Sequence, residues 1–280
     1  MKQWVLEIDV KLCINCSNCI LATKDEYVGN VFPGYSAEQP SQGIETIKIV
    51  RHVRGSGSLT DVNYIPKTCN HCDDAPCIEA AGDGSIYKRP DGIVMVDPVK
   101  AKHRRELVDA CPYGMLVWNS KAQVPQNWNF DAHLLDAGWS EPRCAQACPT
   151  NAIRALKLDE TELAKRVKDE RLSTLDPKLK SRVFYRGLNS VLSHIVTGNI
   201  CEIAADGRQQ NLSGVEVILL DSANGGRSST KTNAFGDFRF DGLTTDVSTI
   251  ELRIRRHGTE MPIATNRRSG SLDLGTIYID

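Results

Sequence analysis

The sequence lacks several features that would define other classes of protein. No run of about 18 apolar residues occurs in its 280 residues, so we predict no membrane span. Neither sign of charge is in excess, because 34 lysines and arginines face 35 aspartates and glutamates. Nucleic-acid-binding domains are usually strongly basic, and we therefore expect no nucleic-acid partner. The 41% hydrophobic and 25% charged residues are ordinary for a globular chain.

Catalytic motifs are also missing. No Ser-His-Asp set and no pair of carboxylates stands at a convincing spacing, so we predict no catalytic residue in this chain. The first ten residues alternate Val5, Ile8 and Val10 with charged residues, which is typical of a strand and not of a signal peptide. We therefore expect a cytoplasmic protein.

Cysteine is almost confined to the first half of the chain. Nine of the ten cysteines precede residue 150, in tight groups, and only Cys201 follows. Tight groups without a secretory signal indicate thiolate metal ligands in a reducing compartment, not disulfides. Cys201 lies in a strand-like segment, and we expect it to be a core residue because free cysteine is often buried.

The spacing of the clustered cysteines is typical of iron–sulfur proteins. Bacterial ferredoxins use C-x2-C-x2-C runs, and each run needs a fourth, remote Cys-Pro cysteine to complete a four-iron cluster. Two triplets and two remote Cys-Pro pairs occur here, and nested pairing predicts two [4Fe-4S] clusters. The outer set is Cys13, Cys16, Cys19 and Cys148, and the inner set is Cys69, Cys72, Cys77 and Cys111.

A structural zinc site is the alternative for these cysteines. The pairs Cys16-x2-Cys19 and Cys69-x2-Cys72 could supply four thiolates to one zinc ion. Their separation of about 50 residues is long for a zinc ribbon, and this arrangement leaves Cys13 and Cys77 unused. Two iron–sulfur clusters account for more of the pattern.

The pattern of apolar and turn residues predicts an α+β fold with three parts. Short strands are expected at 4–10, 46–52, 92–97, 115–119 and 152–156, and Asp97-Pro98 predicts the start of a helix ending at Cys111. Asp159 predicts the cap of an amphipathic helix over 159–175. We expect an iron–sulfur domain at 1–158, a helix and linker packed on it at 159–194, and an all-β sandwich at 195–280.

Several motifs, together with the cysteines, resemble those of a known family. The first 190 residues are similar to the iron–sulfur subunit of molybdopterin oxidoreductases of the dimethyl sulfoxide reductase superfamily. Within it, the similarity is to the small subunits of pyrogallol–phloroglucinol transhydroxylase and resorcinol hydroxylase. The motifs are Pro33-Gly34-Tyr35, Asn63-Tyr64, Ala75-Pro76-Cys77, Asp91-Gly92-Ile93-Val94, Cys111-Pro112-Tyr113-Gly114, Trp118-Asn119 and Ala132-His133-Leu134-Leu135.

The resemblance implies a duplicated ferredoxin-like domain followed by an immunoglobulin- or transthyretin-like β-sandwich. It also implies a large catalytic partner that carries a molybdenum–pterin cofactor and acts on phenols such as pyrogallol, phloroglucinol or resorcinol. This chain would then be a non-catalytic electron-transfer subunit in a heterodimer or a higher multimer. Two alternatives stay open: an electron-transfer subunit of another enzyme of the superfamily, and a scaffold subunit without a redox role.

One departure from the family pattern concerns a third cluster. By resemblance, its ligands would stand at Thr23, Trp128, Asp131 and Cys144, and only the last of these is a cysteine. We expect that this cluster is lost, that Trp128 and Phe130 fill its space, and that Cys144 is a buried free thiol. The alternative keeps the cluster with Asp131 as an oxygen ligand.

Two further features allow two interpretations each. His71 lies between two cluster cysteines and either donates a hydrogen bond near a cluster or is an ordinary loop residue. Lys100, Lys102, Arg104 and Arg105 form either a solvated basic face or a contact surface for a partner subunit.

Overall fold

The chain divides into two compact units. The computed structural model describes residues 1–55, 59–223, 225–244, 246–256 and 258–279. The first unit comprises Met1–Arg51 and Asn63–Leu188, and the second comprises His52–Val62 and Asn189–Asp280. Within the part of the chain that the structure describes, no helix is long and apolar enough to cross a membrane.

Strands outnumber helices, and the helices are short. The six α-helices are α1 (Asn18–Tyr27), α2 (Pro76–Ala81), α3 (Ala132–Asp136), α4 (Arg143–Gln146), α5 (Glu160–Asp169) and α6 (Leu188–Leu192) in the described ranges. The strands of the first unit and of the hairpin that it shares with the second are β1 (Gln3–Asp9), β2 (Ile47–Arg54), β3 (Asp61–Thr68), β4 (Ile86–Lys88), β5 (Val94–Val96), β6 (Val117–Asn119), β7 (Val124–Gln126), β8 (Ile153–Leu158) and β9 (Val183–Arg186). The remaining strands are β10 (His194–Ile203), β11 (Gln209–Asn211), β12 (Glu216–Asp221), β13 (Gly226–Lys231), β14 (Asp237–Leu243), β15 (Val247–Arg256), β16 (Thr259–Ser269) and β17 (Leu272–Ile279).

The first unit is organised around β1. This strand is the centre of a three-stranded sheet, antiparallel to β8 and parallel to β9. Its consecutive residues from Trp4 to Ile8 are all buried, because both faces of the strand are covered. The short hairpins β4–β5 and β6–β7 contribute Ile86, Val94 and Val124 to a second apolar cluster.

The helix predicted from Asp97 to Cys111 is wrong. The Asp97 carboxylate accepts hydrogen bonds from the backbone N–H groups of Val99 (2.9 Å) and Lys100 (3.0 Å). These bonds are those of a helix N-cap, as expected at Asp97. The helix does not continue because His103 adopts a left-handed φ of 65° and donates its N–H to the carbonyl of Gln123 at 2.7 Å, and a 3₁₀ helix follows at Arg105–Ala110.

The cap predicted at Asp159 is confirmed, whereas the length of its helix is not. Asp159 and Glu162 form a reciprocal capping box at the start of α5. The helix ends at Asp169 instead of residue 175, and Arg171 then adopts a left-handed backbone conformation with φ of 51°.

The described residues from His194 onward that lie in regular structure are all in strands. They form two four-stranded sheets, one with the order β13-β12-β15-β16 and one in which β10 pairs with β11, β14 and β17. Side chains of both sheets, such as Val196, Phe238, Val217 and Ile254, form a single buried cluster. Cys201 on β10 is fully buried, which confirms its placement in the core.

A buried carboxylate links β1 to α5 and β9. Glu7, only 3% exposed, accepts hydrogen bonds from Arg166 Nε at 2.6 Å and Arg186 Nη2 at 2.7 Å. Burial alone would raise the pKa of Glu7, but the two guanidinium groups outweigh it and hold the pKa below its usual value.

Replacement of this carboxylate should therefore destabilise the protein in a pH-dependent way. We expect Glu7→Gln to lower the free energy of unfolding at neutral pH by about 1.5–3 kcal/mol, since it weakens bonds to charged groups. Because the folded-state pKa is lowered, the stabilisation is complete above the ordinary pKa of 4.5 and is lost as the pH falls through the folded value. The measurement is anaerobic denaturant unfolding at neutral and acid pH.

The exposed Glu45 provides the matched control. Glu45→Gln should change the stability by about 0.5 kcal/mol or less at either pH. A loss for Glu7→Gln that stays constant down to acid pH would show that the charge of this carboxylate does not stabilise the fold.

Candidate metal centre

Strand pairing brings the outer cysteine set together. Ile8 near the end of β1 lies opposite Ile153 at the start of β8. The loop that follows β1 carries Cys13 and Cys16, and the loop that precedes β8 carries Cys148. The antiparallel pairing therefore places both loops at the same edge of the sheet, across a separation of more than a hundred residues.

The four cysteines of the outer set line one cavity. Cys13, Cys16, Cys19 and Cys148 surround about 300 Å³ of empty space, part of which is open to solvent. The rest of the wall is mainly apolar and includes Ile14, Ile49, Pro66, Ala152 and Ile153. Such a wall limits the access of water to whatever the thiols hold.

Left-handed residues shape the loop of the outer set. Asn15 and Ser17 adopt positive φ angles of 57° and 63°, one before Cys16 and one after it. Asparagine tolerates this region better than most residues do. These two left-handed residues turn the chain around the cavity. Helix α1 then begins, and its Cys19 lines the same cavity.

The inner set is assembled from three separate segments. Cys69 and Cys72 follow β3, Cys77 lies in the first turn of α2, and Cys111 follows the 3₁₀ helix. Helix α2 packs against that 3₁₀ helix. Cys77 and Cys111 lie close enough to Cys69 and Cys72 for their charges to raise the pKa of both thiols. No disulfide joins any cysteine of the described chain.

Burial raises the pKa values of most of these thiols, so that they stay protonated at neutral pH when no metal is bound. It raises the pKa of Cys19 and of Cys77 to about 11 and that of Cys72 to about 12, and neighbouring thiols raise each of them further. The pKa values of Cys13 and Cys69 are raised for the same reasons. A bound cation must therefore displace the protons, and each set is suited to a centre of high positive charge.

Neither set has the geometry of a site for a single ion. Among the residues that the structure describes, no three His, Cys, Asp or Glu side chains are arranged to hold one metal ion. Zinc requires all its thiolates at about 2.3 Å from one point. The thiols of the outer set instead surround an extended cavity.

Hydrogen-bond donors surround the inner set, and the sequence did not reveal them. Asn127 Nδ2 lies 3.3 Å from Cys69 Sγ, and the backbone N–H of Met115 lies 3.4 Å from Cys111 Sγ. The outer set has a weaker counterpart, in which Thr150 Oγ1 lies 3.7 Å from Cys148 Sγ.

His71 is buried, and its Nδ1 atom does not donate a hydrogen bond to a cluster cysteine. This atom accepts a hydrogen bond from the backbone N–H of Val94 at 3.0 Å, so it cannot also donate to Cys69 Sγ, 3.9 Å away. Burial, and to a smaller extent Lys88, lower the pKa of His71 to about 3, which keeps the ring neutral.

Two buried polar atoms near the inner set, Nε2 of His71 and the hydroxyl of Tyr113, have no hydrogen-bond partner among the described residues. The hydroxyl of Tyr113 is inaccessible to solvent and makes no hydrogen bond to any described residue. The hydroxyl lies close enough to Cys72 and Cys111 for charge on either thiol to raise its pKa. Because buried hydroxyl groups are nearly always hydrogen-bonded, this orphaned donor fits an acceptor held by the thiols.

Apolar volume occupies the region expected for the third cluster. Trp128 and Phe130 are 0% and 1% exposed, and their rings stack with centroids 4.8 Å apart. Trp4 and His71 complete the aromatic group at centroid distances of 5.7 Å and 5.4 Å from Phe130.

The other three positions of this region are buried as well. Asp131 accepts hydrogen bonds from Trp128 Nε1 at 3.1 Å and from the Arg143 backbone N–H at 2.8 Å, and Tyr27 Oη lies 2.9 Å from it. Thr23 donates to the backbone carbonyl of Cys19, in its own helix. Cys144 is fully buried, and burial together with Asp131 raises its pKa well above the usual value.

The basic residues near Cys111 are only partly free. Arg104 forms ion pairs with Asp83 at 2.7 Å and with Glu106 at 2.6 Å, and the Arg105 guanidinium lies 5.8 Å from the Trp118 ring centre. Lys100 and Lys102 are exposed. Local pairing thus accounts for part of this charge without a partner.

Comparisons with known proteins agree with this site. The family model described as "4Fe-4S dicluster domain" matches residues 60–158. The pyrogallol hydroxytransferase small subunit of Pelobacter acidigallici is 39% identical over 259 residues, which cover 90% of this chain and 91% of that protein. The thiosulfate reductase electron transfer subunit of Salmonella typhi is 32% identical and covers 58% of this chain and 79% of that protein. A tetrathionate reductase subunit of Salmonella typhimurium is 28% identical over 67% of this chain and 73% of that protein.

Fold, thiol sets and comparisons together define a class of protein. The chain is an electron-transfer iron–sulfur subunit of an oxidoreductase, without an active site of its own. Within that class, it belongs to the family of the pyrogallol hydroxytransferase small subunit.

The aromatic filling of the third region should matter for stability. We expect Trp128→Ala to lower the free energy of unfolding by about 3–5 kcal/mol, because it opens a cavity beside Phe130 and removes one of the hydrogen-bond donors to Asp131. Trp139→Ala, at a side chain that is 40% exposed, is the control and should cost about 1 kcal/mol or less. Anaerobic denaturant unfolding compares the two, and equal losses would show that Trp128 is not a packing residue.

Proposed function

We propose that each cysteine set holds one [4Fe-4S] cluster and that the chain passes single electrons between these clusters and the active centre of a larger subunit. The observation that carries the proposal is the common cavity lined by Cys13, Cys16, Cys19 and Cys148. The contacts among Cys69, Cys72, Cys77 and Cys111 support the same assignment for the inner set. The zinc alternative is disfavoured because it needs Cys16 and Cys19 beside Cys69 and Cys72, whereas the first pair lines a cavity with Cys13 and Cys148 and the second pair lies near Cys77 and Cys111.

The residues of this chain would supply ligands, shielding and hydrogen bonds. When bound, the clusters supply reversible one-electron storage. The eight thiolates hold them, and the apolar side chains Ile14, Ile49 and Ile153 limit the access of water to the outer one. N–H donors at Asn127 and Met115 point at ligand sulfurs of the inner set and stabilise negative charge there.

The third cluster of the family pattern is lost in this proposal. Its region holds the stacked rings of Trp128 and Phe130, and the carboxyl of Asp131 already has partners in Trp128, Tyr27 and Arg143. Asp131 is therefore engaged elsewhere and is a poor candidate for an iron ligand. Cys144 would remain as a neutral, buried thiol.

The proposed partner is a large subunit that carries a molybdenum–pterin cofactor and acts on phenols of the pyrogallol, phloroglucinol or resorcinol type. Similarity over 90% of the chain to a pyrogallol hydroxytransferase small subunit supports this partner over those of the sulfur-compound reductases, which match shorter parts of the chain. We also propose a cytoplasmic location.

The architecture proposed for the whole chain has three parts. Residues 1–158 would form a duplicated ferredoxin-like domain, 159–194 a helix and linker packed on it, and 195–280 an immunoglobulin- or transthyretin-like sandwich. The shared core of the two C-terminal sheets supports the last of these.

A docking surface for the partner lies beside the outer set. The large apolar side chains Leu12, Ile14 and Leu21 are 41%, 61% and 61% exposed, and Cys16 between them is exposed too. These residues are close to one another in the chain, and exposed apolar residues that form a patch are typical of protein–protein interfaces. A contact at this point would bring the partner close to the outer cluster.

Iron and sulfide analysis tests the cluster assignment. The anaerobically purified complex should contain about eight irons and about eight labile sulfides from this chain, as expected for two four-iron clusters. The double variant Cys13→Ala/Cys16→Ala should lose about half of both, while Cys144→Ala should keep them all. About twelve irons in the wild type, or loss of iron in Cys144→Ala, would show that the third cluster is retained.

Charge introduced at the apolar surface tests the partner contact. Ile14→Glu should reduce recovery of the large subunit in co-purification at least tenfold, equivalent to about 1.4 kcal/mol, because a carboxylate would be buried at the interface. Val247→Glu is the control, at a side chain that is 50% exposed and belongs to the second unit. Equal recovery of both variants would place the interface elsewhere.

A further inference from the structure

We propose that Asn127 and Tyr113 are the side chains that set the reduction potential of the inner cluster, through hydrogen bonds to its sulfur atoms. This inference rests on the proposed function, since it requires a cluster in the inner set. Asn127 lies in the segment that, by resemblance, would carry ligands of the third cluster. The proposal gives this segment a role at the inner cluster instead.

The contact of Asn127 with Cys69 is fixed in direction by a second bond. The same Nδ2 atom lies 3.3 Å from Cys69 Sγ and 2.9 Å from the carbonyl oxygen of Val94. A carbonyl oxygen can only accept, so the amide nitrogen and not the amide oxygen must face this side. Its two hydrogens serve the two acceptors, and Asn127 is therefore a true N–H donor to the ligand sulfur.

Val94 is held from both sides, which keeps this donor in place. While its carbonyl accepts from Asn127, its N–H donates to Nδ1 of His71 at 3.0 Å. Trp128 and Phe130 pack edge-on against the His71 ring at centroid distances of 5.7 Å and 5.4 Å. Since Nδ1 of His71 is occupied as an acceptor, Asn127 is the side-chain donor at Cys69.

Tyr113 supplies the second donor. Its hydroxyl is buried, has no hydrogen-bond partner among the described residues, and lies in the electrostatic environment of Cys72 and Cys111. A phenolic O–H in this position gains a partner when sulfur acceptors bearing negative charge occupy the inner set.

Both donors act in the same direction on the potential. Reduction adds one negative charge to a buried centre, where hydrogen bonds to sulfur are stronger than they are in water. N–H and O–H donors therefore stabilise the reduced form more than the oxidised form. Removal of either donor should lower the midpoint potential.

Potentiometric titration of the intact complex, followed by electron paramagnetic resonance, tests the proposal. Asn127→Leu and Tyr113→Phe should each shift the inner-cluster signal to lower potential by a factor of about ten in the equilibrium constant, or about 59 mV for one electron. The outer-cluster signal should not move. The inner signal is assigned as the one that survives in Cys13→Ala/Cys16→Ala.

Tyr35→Phe is the matched control for the loss of a hydroxyl, because Tyr35 donates to the exposed side chain of Asp136. It should leave both potentials unchanged. If Asn127→Leu prevents assembly, Tyr113→Phe decides, since it removes a hydroxyl that no protein group needs.

The outcomes separate this inference from the proposed function. Unchanged inner potentials in variants with full iron and sulfide content would overturn the tuning role and leave the two-cluster assignment intact. A shift of both signals by the same amount would also overturn it, because it would indicate a general change in structure. A wild-type chain without iron or sulfide would instead refute the proposed function itself.

Discussion

The antiparallel pairing of β1 with β8 is the constraint on which the outer cysteine site depends. It joins segments that are about 145 residues apart and places the loop after Asp9 beside the loop before Ile153. Closing so long a loop costs conformational entropy, although the cost rises only slowly with length. The burial of both faces of β1 and the ion pairs of Glu7 oppose that cost. The geometry of four thiols around one cavity is thus maintained by a sheet that contributes no ligand.

The two cysteine sets differ in their solvent exposure and in the hydrogen-bond donors around them. The outer set includes the exposed Cys16 and lies beside exposed apolar side chains, which suits contact with another protein. Each set has one buried cysteine, but the inner set has no exposed member, and N–H and O–H groups of Asn127, Met115 and Tyr113 lie around it. Solvent exposure and hydrogen bonding both influence cluster potentials, so the chain can set the two centres independently.

The sequence predicts two cysteine sets but does not predict the residues that surround them. Ligand spacing is local and follows from the size of a four-iron cluster, and the capping box at Asp159 is equally local. The helix predicted from Asp97 failed because His103 adopts a left-handed conformation and donates its N–H to Gln123, 20 residues away along the chain. Asn127 was missed because its partners, Cys69 and Val94, are 58 and 33 residues away along the chain. No pattern in one sequence identifies a contact of that kind.

Under the two-cluster proposal, the residues at the positions of the third cluster give a physical reason for the loss of all its ligands together. A buried thiolate without iron is destabilised by desolvation, as the raised pKa of Cys144 illustrates. Removing a cluster also leaves a void, which costs about 24 cal/mol for each Å³ that is not refilled. Replacing a single ligand would leave the other thiolates buried without iron and would leave the void unfilled. Trp128 and Phe130 supply volume, and Asp131 accepts the indole N–H, so that the substituted positions satisfy one another. Under that proposal, the substituted positions depend on one another, which is a physical reason for them to depart from the family pattern as a group.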